Sequence, residues 1–539
     1  MIMGHKLIVI PDADCYYFDH DGQPILIEED REAAITFEDG DGPVCLFSLR
    51  YGQSVREEVF PQEGAAPDER IRVIFDINKI EAACWDSIPS EEELKKSVTD
   101  EQGNRYSSDW TRLLESGNGE AITVDPRCRV ICSDAFNGRE RLRHVVLPLG
   151  LERIYGAAFA CCPTLERVDI PDTVTFIDDC AFSMCTALRS ITIPSGVRRL
   201  PGFLFAKCIS LTDVSLVEGL LSIGEGAFEF CTSLKTVRLP DSVGIIEKSA
   251  FTECRSLRSI TLPDRVTVIP RTLFSGCTSL REAVLPKNTV TIEGSAYARC
   301  RSLSRCDLPA SVKEIGGGAF TECERLERIV IPSLISQIGR GTFRGCSSLR
   351  DIVLPPGLQA IDAQAFSGCS ALREIVFPDS VTAIGPGAFQ DCTALRSVRL
   401  PSGLTTLSRE LFRGCSALQS INLPDSVTTI RYGAFRDCSG LRFFRIPPRL
   451  TVISDALFSG CTALEGRMDI PEGVRSIKHG AFARCISLKE VSIPSSLEEI
   501  EPWVFYGCES LERAIVPKEL EKLVRPVVES TLQGRIVTV

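Results

Sequence analysis

Aromatic residues recur along this chain of 539 residues at a nearly constant spacing of 23. Seventeen positions follow the register, and one step, between the fifteenth and the sixteenth, is 24 instead. The positions are Phe136, Phe159, Phe182, Phe205, Phe228, Phe251, Phe274, Tyr297, Phe320, Phe343, Phe366, Phe389, Phe412, Phe435, Phe458, Phe482 and Phe505. A fixed period of this length is typical of a solenoid that stacks one small unit many times. Binding through a long repeated surface is therefore the default function.

Each unit combines a β-strand with a tight turn. Ile191 and Ile193 alternate with polar residues, which is the period of a strand, and Pro194 ends the strand because proline has no N–H to donate. In the next unit Ala227 and Cys231 stand four residues apart, a spacing that favours one face of a short helical turn. The pattern predicts an α/β-type repeat solenoid, with a parallel β-sheet on its concave face, short helical turns on its convex face and the phenylalanines in its core.

The recurring pattern resembles the BspA-like type of leucine-rich repeat. One clear instance consists of Ala250, Phe251, Cys254, Leu257, Ile260, Leu262 and Pro263. The resemblance covers residues 120–517, and it implies a right-handed leucine-rich repeat superhelix that serves adhesion or host-associated binding. It also implies a cap hairpin between Tyr106 and Leu114, in which Trp110 takes the place of the glycine that is usual in that turn.

The repeat divides the chain into four predicted parts. They are a small acidic β-rich or α+β domain in residues 1–100, a cap hairpin in residues 101–121, an array of about 17 repeats in residues 122–517 and a C-terminal cap in residues 518–539. Residues 1–119 carry more than twice as many acidic as basic residues, whereas the rest of the chain is close to neutral, and this change marks the first boundary. One extra residue between Leu464 and Ile470 predicts a β-bulge.

The N-terminal region is predicted to contain five strands and, after Ser90, a short helix in residues 91–96. The predicted strands are Lys6–Ile10, Pro24–Glu28, Ala34–Phe37, Pro43–Leu49 and Ile71–Phe75. Four carboxylates and one histidine near the N-terminus resemble a divalent-cation site. They are Asp12, Asp14, Asp19, His20 and Asp21. Solvated Asp-Gly turns explain the same residues, so we expect no metal and no cofactor. A metal-dependent or enzymatic module in this region, with the repeats as its targeting surface, is the alternative.

No motif of a known catalytic class is present. The chain has no glycine-rich phosphate loop, no G-x-S-x-G and no H-E-x-x-H. A cysteine nucleophile needs a histidine partner, and the chain has four histidines, of which none stands in a recognisable catalytic pattern. We therefore predict a protein that is not an enzyme.

Sixteen of the 24 cysteines occupy one repeat position, from Cys162 to Cys508. Equivalent residues of stacked units point the same way, which suits buried free thiols better than disulfides. The sequence contains no C-x-x-C pair, so the cysteines do not indicate a zinc site. So many free thiols favour a reducing compartment, and the apolar run at residues 7–10 is too short for the core of a signal peptide. We predict a cytoplasmic protein without membrane insertion. The family resemblance gives the alternative, a secreted or cell-surface protein.

Outward-facing residues of the strands tile one face of the predicted sheet. Three consecutive strands place valine at the second outward position, and arginine and phenylalanine follow in later strands. The predicted partner-binding residues are Val330, Val353, Val376, Arg399, Phe443 and Arg445. Exposed apolar residues bordered by arginine and aromatic residues are typical of the centres of protein interfaces. A protein partner is therefore predicted, although strand propensity alone also explains the valines.

A column of basic residues precedes these strands. Its members are Arg143, Arg189, Lys235, Arg258, Arg281, Arg350, Arg373, Arg396, Arg442 and Lys489. Such a column attracts acidic glycans, which are the alternative partner. Nearby acids, among them Asp351 and Glu374, are expected to pair with it and to reduce its field. Nucleic acid is not expected to bind, because few aromatic residues are available for base stacking.

Overall fold

The computed structural model describes residues 87–529 and 535–539, together with four short strands nearer the N-terminus. These strands are β1 (Ile8–Pro11), β2 (Cys15–Phe18), β3 (Pro24–Ile27) and β4 (Leu46–Leu49). Strand β1 pairs parallel with β4, and β2 pairs antiparallel with β3.

Three of the five strands predicted for this region overlap β1, β3 and β4. The other two, Ala34–Phe37 and Ile71–Phe75, lie outside the described residues. The candidate cation ligands also lie outside them, and these are Asp12, Asp14, Asp19, His20 and Asp21. The predicted short helix is α1 (Glu91–Lys95), and its first turn is capped by the Ser90 hydroxyl, which accepts a hydrogen bond from the Glu93 N–H at 3.1 Å.

Two strands from each repeat stack in parallel on the equivalent strands of the neighbouring repeats. We call the strands that contain the Ile191-type residues ladder A, and those that precede each phenylalanine ladder B. Ladder A consists of β8 (Ala121–Thr123), β10 (His144–Val146), β12 (Arg167–Val168), β14 (Ser190–Thr192), β16 (Asp213–Ser215), β20 (Glu282–Val284), β22 (Arg305–Asp307), β24 (Arg328–Val330), β26 (Asp351–Val353), β28 (Glu374–Val376), β30 (Ser397–Arg399), β32 (Ser420–Ile421), β34 (Phe443–Phe444), β36 (Gly466–Asp469), β38 (Leu488–Ser492) and β40 (Arg513–Val516). Two isolated bridges, Thr236 with Ser259 and Thr261 with Val284, continue it between β16 and β20.

Ladder B is equally regular. It consists of β9 (Val130–Ile131), β11 (Arg153–Ile154), β13 (Phe176–Ile177), β15 (Arg199–Leu200), β17 (Ser222–Ile223), β18 (Ile245–Ile246), β19 (Val268–Ile269), β21 (Thr291–Ile292), β23 (Glu314–Ile315), β25 (Gln337–Ile338), β27 (Ala360–Ile361), β29 (Ala383–Ile384), β31 (Thr406–Leu407), β33 (Thr429–Ile430), β35 (Val452–Ile453), β37 (Ser476–Ile477) and β39 (Glu499–Ile500). Paired residues are one repeat apart, as when Ile191 of ladder A lies beside Val214. The predicted parallel repeat solenoid is confirmed.

The seventeen aromatic side chains form one continuous column inside the array. Centroids of neighbouring rings lie 4.5–5.9 Å apart, and the angles between ring planes are 1–30°. All seventeen rings are fully buried, including Tyr297. A single unit has too little apolar surface to form a core, so this shared column joins the repeats.

The sixteen repeat cysteines form a second buried column. Each thiol donates a hydrogen bond, at 3.0–3.2 Å, to the carbonyl oxygen of the phenylalanine or tyrosine in the preceding repeat. The Phe182 carbonyl, for example, accepts from the Cys208 thiol and from the Cys185 N–H of its own repeat. Free cysteines are confirmed throughout the described residues. Burial raises the pKa of the Cys346 thiol to about 12, so these thiols stay neutral.

The segment around each phenylalanine is a run of turns, where the spacing of Ala227 and Cys231 had predicted a short helical turn. The residues two before and two after each of the seventeen aromatic positions have φ between 49° and 77°, which is left-handed. In most repeats, each left-handed residue donates its own N–H to a carbonyl of the neighbouring repeat, and so does the aromatic residue between the two. The Phe205 N–H thus donates to the Ala227 carbonyl, and the Lys207 N–H to that of Glu229. These inter-repeat bonds replace the bonds of a helix.

A hairpin covers the N-terminal end of ladder B. It is formed by β5 (Val98–Thr99), β6 (Arg105–Tyr106) and β7 (Arg112–Glu115). The central strand β6 pairs antiparallel with both β5 and β7, and β7 pairs parallel with β9. In its turn, Trp110 has φ 66°, a left-handed conformation that glycine adopts without strain. The Trp110 ring lies 5.2 Å from that of Tyr106, and the Arg127 guanidinium lies 4.0 Å from the Trp110 ring centre. The aromatic and cation–π contacts offset the backbone strain.

Arg139 stands where the first cysteine of the column would stand. Its Nε donates to the Ser116 hydroxyl at 2.9 Å and its Nη2 to the Ser116 carbonyl at 2.7 Å. The Glu115 carboxylate lies 3.6 Å from Nη2. No aromatic residue of the column precedes this repeat, so Arg139 bonds to the hairpin instead and ends the cysteine column there.

Two further features lie near the C-terminus. The register of β36 against β38 shifts between Gly466 and Arg467, which confirms the bulge predicted from the extra residue. After the last repeat come a 3-10 helix (Lys518–Leu520), α2 (Glu521–Glu529) and β41 (Arg535–Thr538). Strand β41 pairs parallel with β40 and adds one more strand to ladder A.

Candidate protein-binding surface

Strands of ladder A alternate between core and solvent. In β24 the pattern is exposed, buried, exposed, because Ile329 points into the core and Arg328 and Val330 point away from it. The same alternation holds in β28, where Ile375 is buried. The outward residues of ladder A therefore form a solvent-exposed face, as the strand period predicts.

The predicted site residues all lie on this face, and we call these six residues the Val–Arg surface. The exposed fractions are 47% for Val330, 46% for Val353, 57% for Val376 and 63% for Phe443. Arg399 and Arg445 are exposed as well. Solvent-exposed valines and a largely exposed phenylalanine are costly to leave in water, which points to a contact that covers them.

The structure brings some of these residues together and separates others. Val330 is paired with Val353, and Val376 is paired with Arg399. Val353 and Val376 lie on consecutive repeats, although β26 and β28 are not hydrogen-bonded as a strand pair. Phe443 is paired with Ser420 and is three repeats from the Val376 strand. The surface thus has an apolar end at the valines and a basic, aromatic end at Arg399, Phe443 and Arg445.

The basic column beside this face is mostly unpaired. Arg143 lies 3.8 Å from Glu166 and Arg350 lies 4.0 Å from Glu327. The other eight members have no carboxylate oxygen within 4.0 Å among the described residues. The expectation that nearby acids such as Asp351 and Glu374 pair with the column is therefore wrong. Neighbouring members of the basic column lie side by side and point outward. Asp351 and Glu374 stand one residue further along the chain than Arg350 and Arg373, and neither acid pairs with a member of the column.

Ion pairs do form elsewhere on the face of ladder A. Arg167 contacts Asp169 at 2.8 Å, and Arg305 contacts Asp307 at 2.6 Å. In the last repeats Glu490 lies between two arginines and is 2.6 Å from Arg513. Among the described residues, no carboxylate oxygen lies within 4.0 Å of Arg373, Arg396, Arg399, Arg442 or Arg445. Their positive charge is free for an external partner.

Sequence reasoning missed two features of the molecular surface. Arg373 and Arg396 flank the valines, and their signal was present in the basic column, which was assigned to a separate glycan site. Trp503 and Tyr506 form an exposed aromatic pair with ring centroids 5.0 Å apart. Their signal was that both are aromatic residues outside the 23-residue register, two residues before and one residue after Phe505.

The described part of the chain contains no group of three or more His, Cys, Asp or Glu side chains placed to hold a metal ion. The cation candidate around Asp12 lies outside that part, so it stays a hypothesis. Among the same residues, no helix has the length and apolar character needed to cross a membrane.

Comparison with known proteins gives the family. Residues 114–235, 199–327, 313–442 and 462–531 match the model of the BspA type leucine rich repeat region. A leucine-rich repeat protein from Bacteroides ovatus is 26% identical over 82% of this chain and 97% of its own, with a TM-score of 0.47. A leucine rich cell surface protein from Faecalibacterium prausnitzii is 25% identical over 78% and 94%, with a TM-score of 0.40. No curated protein matches the sequence. The family model covers well over half of the chain, and the chain therefore belongs to the BspA-type leucine-rich repeat family.

Proposed function

We propose that this chain is a noncatalytic scaffold that recognises a protein partner through the Val–Arg surface. The observation that carries the proposal is a set of exposed valines, two of them paired side by side, that continues into unpaired arginines and an exposed phenylalanine. Interface centres combine these residue types. The stacked core holds them at fixed positions, so binding orders few side chains and loses little conformational entropy.

The test is comparative capture from lysate by the immobilised full chain, read by mass spectrometry. Val353→Arg places a charge in the middle of the three valines, whereas Val146→Arg makes the same change at an equivalent, exposed position far from the surface. A true partner is retained by the wild type and by Val146→Arg and is reduced at least about ten-fold by Val353→Arg, as for a central interface residue. Equal retention by the two variants would contradict the proposal.

Acidic-glycan binding along the basic column is the second candidate function, because eight of its ten members have no carboxylate partner among the described residues. Arg258 belongs to the column but lies outside the Val–Arg surface. Retention on heparin that falls steeply with salt and that is lost in Arg258→Glu supports glycan binding. If Arg258→Glu leaves protein capture unchanged and Val353→Arg reduces it, the result supports partner binding by the Val–Arg surface.

The location of the protein stays a prediction. A column of sixteen free thiols fits a reducing compartment such as the cytoplasm. The thiols are buried and neutral, however, and this protects them from oxidation elsewhere too. Fractionation of the cells that make the protein, with an antibody against the full chain, distinguishes the cytoplasm from the cell surface.

A further inference from the structure

Resting on the proposed function, we infer that the partner segment is an acidic amphipathic α-helix that lies along the stacking axis of the array. The helix places apolar side chains on Val330, Val353 and Val376, and carboxylates on the arginines that follow. Spacing, surface chemistry and charge each support this arrangement from the described residues.

Spacing favours a helix over an extended strand. In the repeats that carry the three valines, the stacked rings from Phe320 to Phe389 are 5.5, 5.4 and 5.3 Å apart, and hydrogen-bonded strands such as the pair that carries Val330 and Val353 are about 4.8 Å apart. An α-helix rises about 5.4 Å per turn, so side chains at i, i+3 or i+4, and i+7 meet successive repeats. Same-side residues of an extended strand are about 6.6 Å apart and lose register after one repeat.

Surface chemistry favours a protein over a polysaccharide at the valine end. Val330, Val353 and Val376 are about half exposed and offer no hydrogen-bonding side-chain atom. Sugar rings need polar partners for their hydroxyl groups, whereas leucine-like side chains gain free energy by covering exposed methyl groups. Three valines in a line correspond to the apolar stripe of two helical turns.

Charge fixes the other half of the helix. Beyond Val376, ladder A presents Arg399 and Arg445 on the valine row, with Arg396 and Arg442 in the basic column beside them. None of these four has a carboxylate oxygen within 4.0 Å in the described part of the chain. The outward residues between them are Ser397, Ser420 and Asn422, which bring no negative charge. Glutamates or aspartates of the partner thus meet open guanidinium groups.

Asp351 and Glu374 lie beside the valines and make the apolar end less basic than the arginine end. The acidic residues of the partner are therefore expected in one half of the helix and its apolar stripe in the other. Five repeat steps separate Val330 from Arg445, which corresponds to roughly 25 Å or about 17 helical residues.

The experiment measures fluorescence anisotropy of a labelled synthetic peptide of about 18 residues on an alanine-rich background, a length set by the helix rise. Glutamates occupy its first turns, and leucines follow at i, i+3 and i+7. One control peptide has lysine for glutamate, and another has the same composition with the leucines spread around the helix. The full chain is used throughout.

The acidic amphipathic peptide is expected to bind the wild type, and the two control peptides at least ten-fold more weakly. Val353→Arg and Arg399→Glu each reduce its affinity at least ten-fold, whereas Val146→Arg and Arg258→Glu do not. The lysine peptide recovers binding to Arg399→Glu, because the charges are exchanged. Equal binding of the dispersed-leucine peptide, or no effect of Arg399→Glu, overturns the inference.

Two further outcomes separate this inference from the proposed function. No peptide binding to the wild type, together with partner capture that still requires Val353, rejects the helix and leaves protein recognition standing. Capture that is indifferent to Val353→Arg rejects both. Sedimentation of the full chain alone detects a second copy as the occupant: a dimer that Val353→Arg dissociates would also overturn the inference.

Discussion

The buried columns and the Val–Arg surface use the same repeat in opposite ways. Inside, Phe343 stacks on equivalent rings above and below, and the Cys346 thiol donates to the Phe320 carbonyl, so the requirements of both are met within the chain. Outside, Val353 is half exposed, and Arg373 has no carboxylate partner among the described residues. The comparison teaches that the fold depends on the residues that repeat, while the outward residues are free to vary from one repeat to the next.

Alkaline pH is expected to produce the largest difference between interior and surface. Burial raises the pKa of Cys346 to about 12 and that of Cys323 and Cys369 well above the usual value. The unfolded chain ionises its thiols from a pKa of about 8.5, so their contribution to stability is complete below that pH and declines as pH rises towards the folded pKa. In that window, the contribution of each buried thiol to the free energy of unfolding falls by about 1.4 kcal/mol per pH unit. Thermal unfolding followed by circular dichroism at pH 8 and pH 10 measures the loss.

The control is a variant with alanine at Cys323, Cys346 and Cys369. It has to lose less stability than the wild type between the two pH values, because three of the ionising groups are gone. An equal loss would assign the effect to lysine and tyrosine and not to the cysteine column.

Truncation of one ring is expected to have the next largest effect. Phe343→Ala leaves a gap in the middle of the aromatic column and costs about 3–5 kcal/mol of unfolding free energy. Val353→Arg, on the outer face of the next strand, β26, changes the unfolding free energy by less than about 0.5 kcal/mol, because the side chain stays in solvent. Urea unfolding of both variants tests the difference, and similar losses would remove the distinction between core and recognition face.

The smallest expected effect concerns the left-handed turns on either side of each aromatic residue. Lys207 is exposed and has φ 62°, a conformation that costs a residue with a side chain about 1–2 kcal/mol. Lys207→Gly removes that strain, and after the added entropy of the unfolded glycine the net gain is roughly 0.5 kcal/mol. Gly138 has φ 71°, and a Cβ added to it would contact no other atom. Gly138→Ala therefore measures the cost of the left-handed backbone alone, and it is expected to lower the midpoint of urea unfolding. A loss of stability in Lys207→Gly would contradict this view of the turns.

The stacking and the inward-facing residues could be predicted because both are encoded in the period. A residue that returns every 23 positions has to occupy the same place in each repeat, so Phe343 and Cys346 were placed correctly. The bulge at Gly466 followed from one extra residue. The pairing of Val330 with Val353 followed from the same counting.

The turns and the charges could not be predicted in this way. At positions such as Lys207 and Glu253, left-handed geometry is imposed by bonds to the next repeat, and neither residue type signals it. Ion pairing depends on the reach of individual side chains. Arg305 therefore pairs with Asp307 in its own strand, while Arg373 remains unpaired in the described part of the chain.

The most direct test of partner recognition by the Val–Arg surface is hydroxyl-radical footprinting of the full chain with and without a captured partner. The account predicts protection of Val330, Val353 and Phe443, and unchanged labelling of Val146 and of Tyr506 in the exposed aromatic pair. Protection at Val146 or Tyr506, with Val353 and Phe443 labelled as in the free protein, would contradict it.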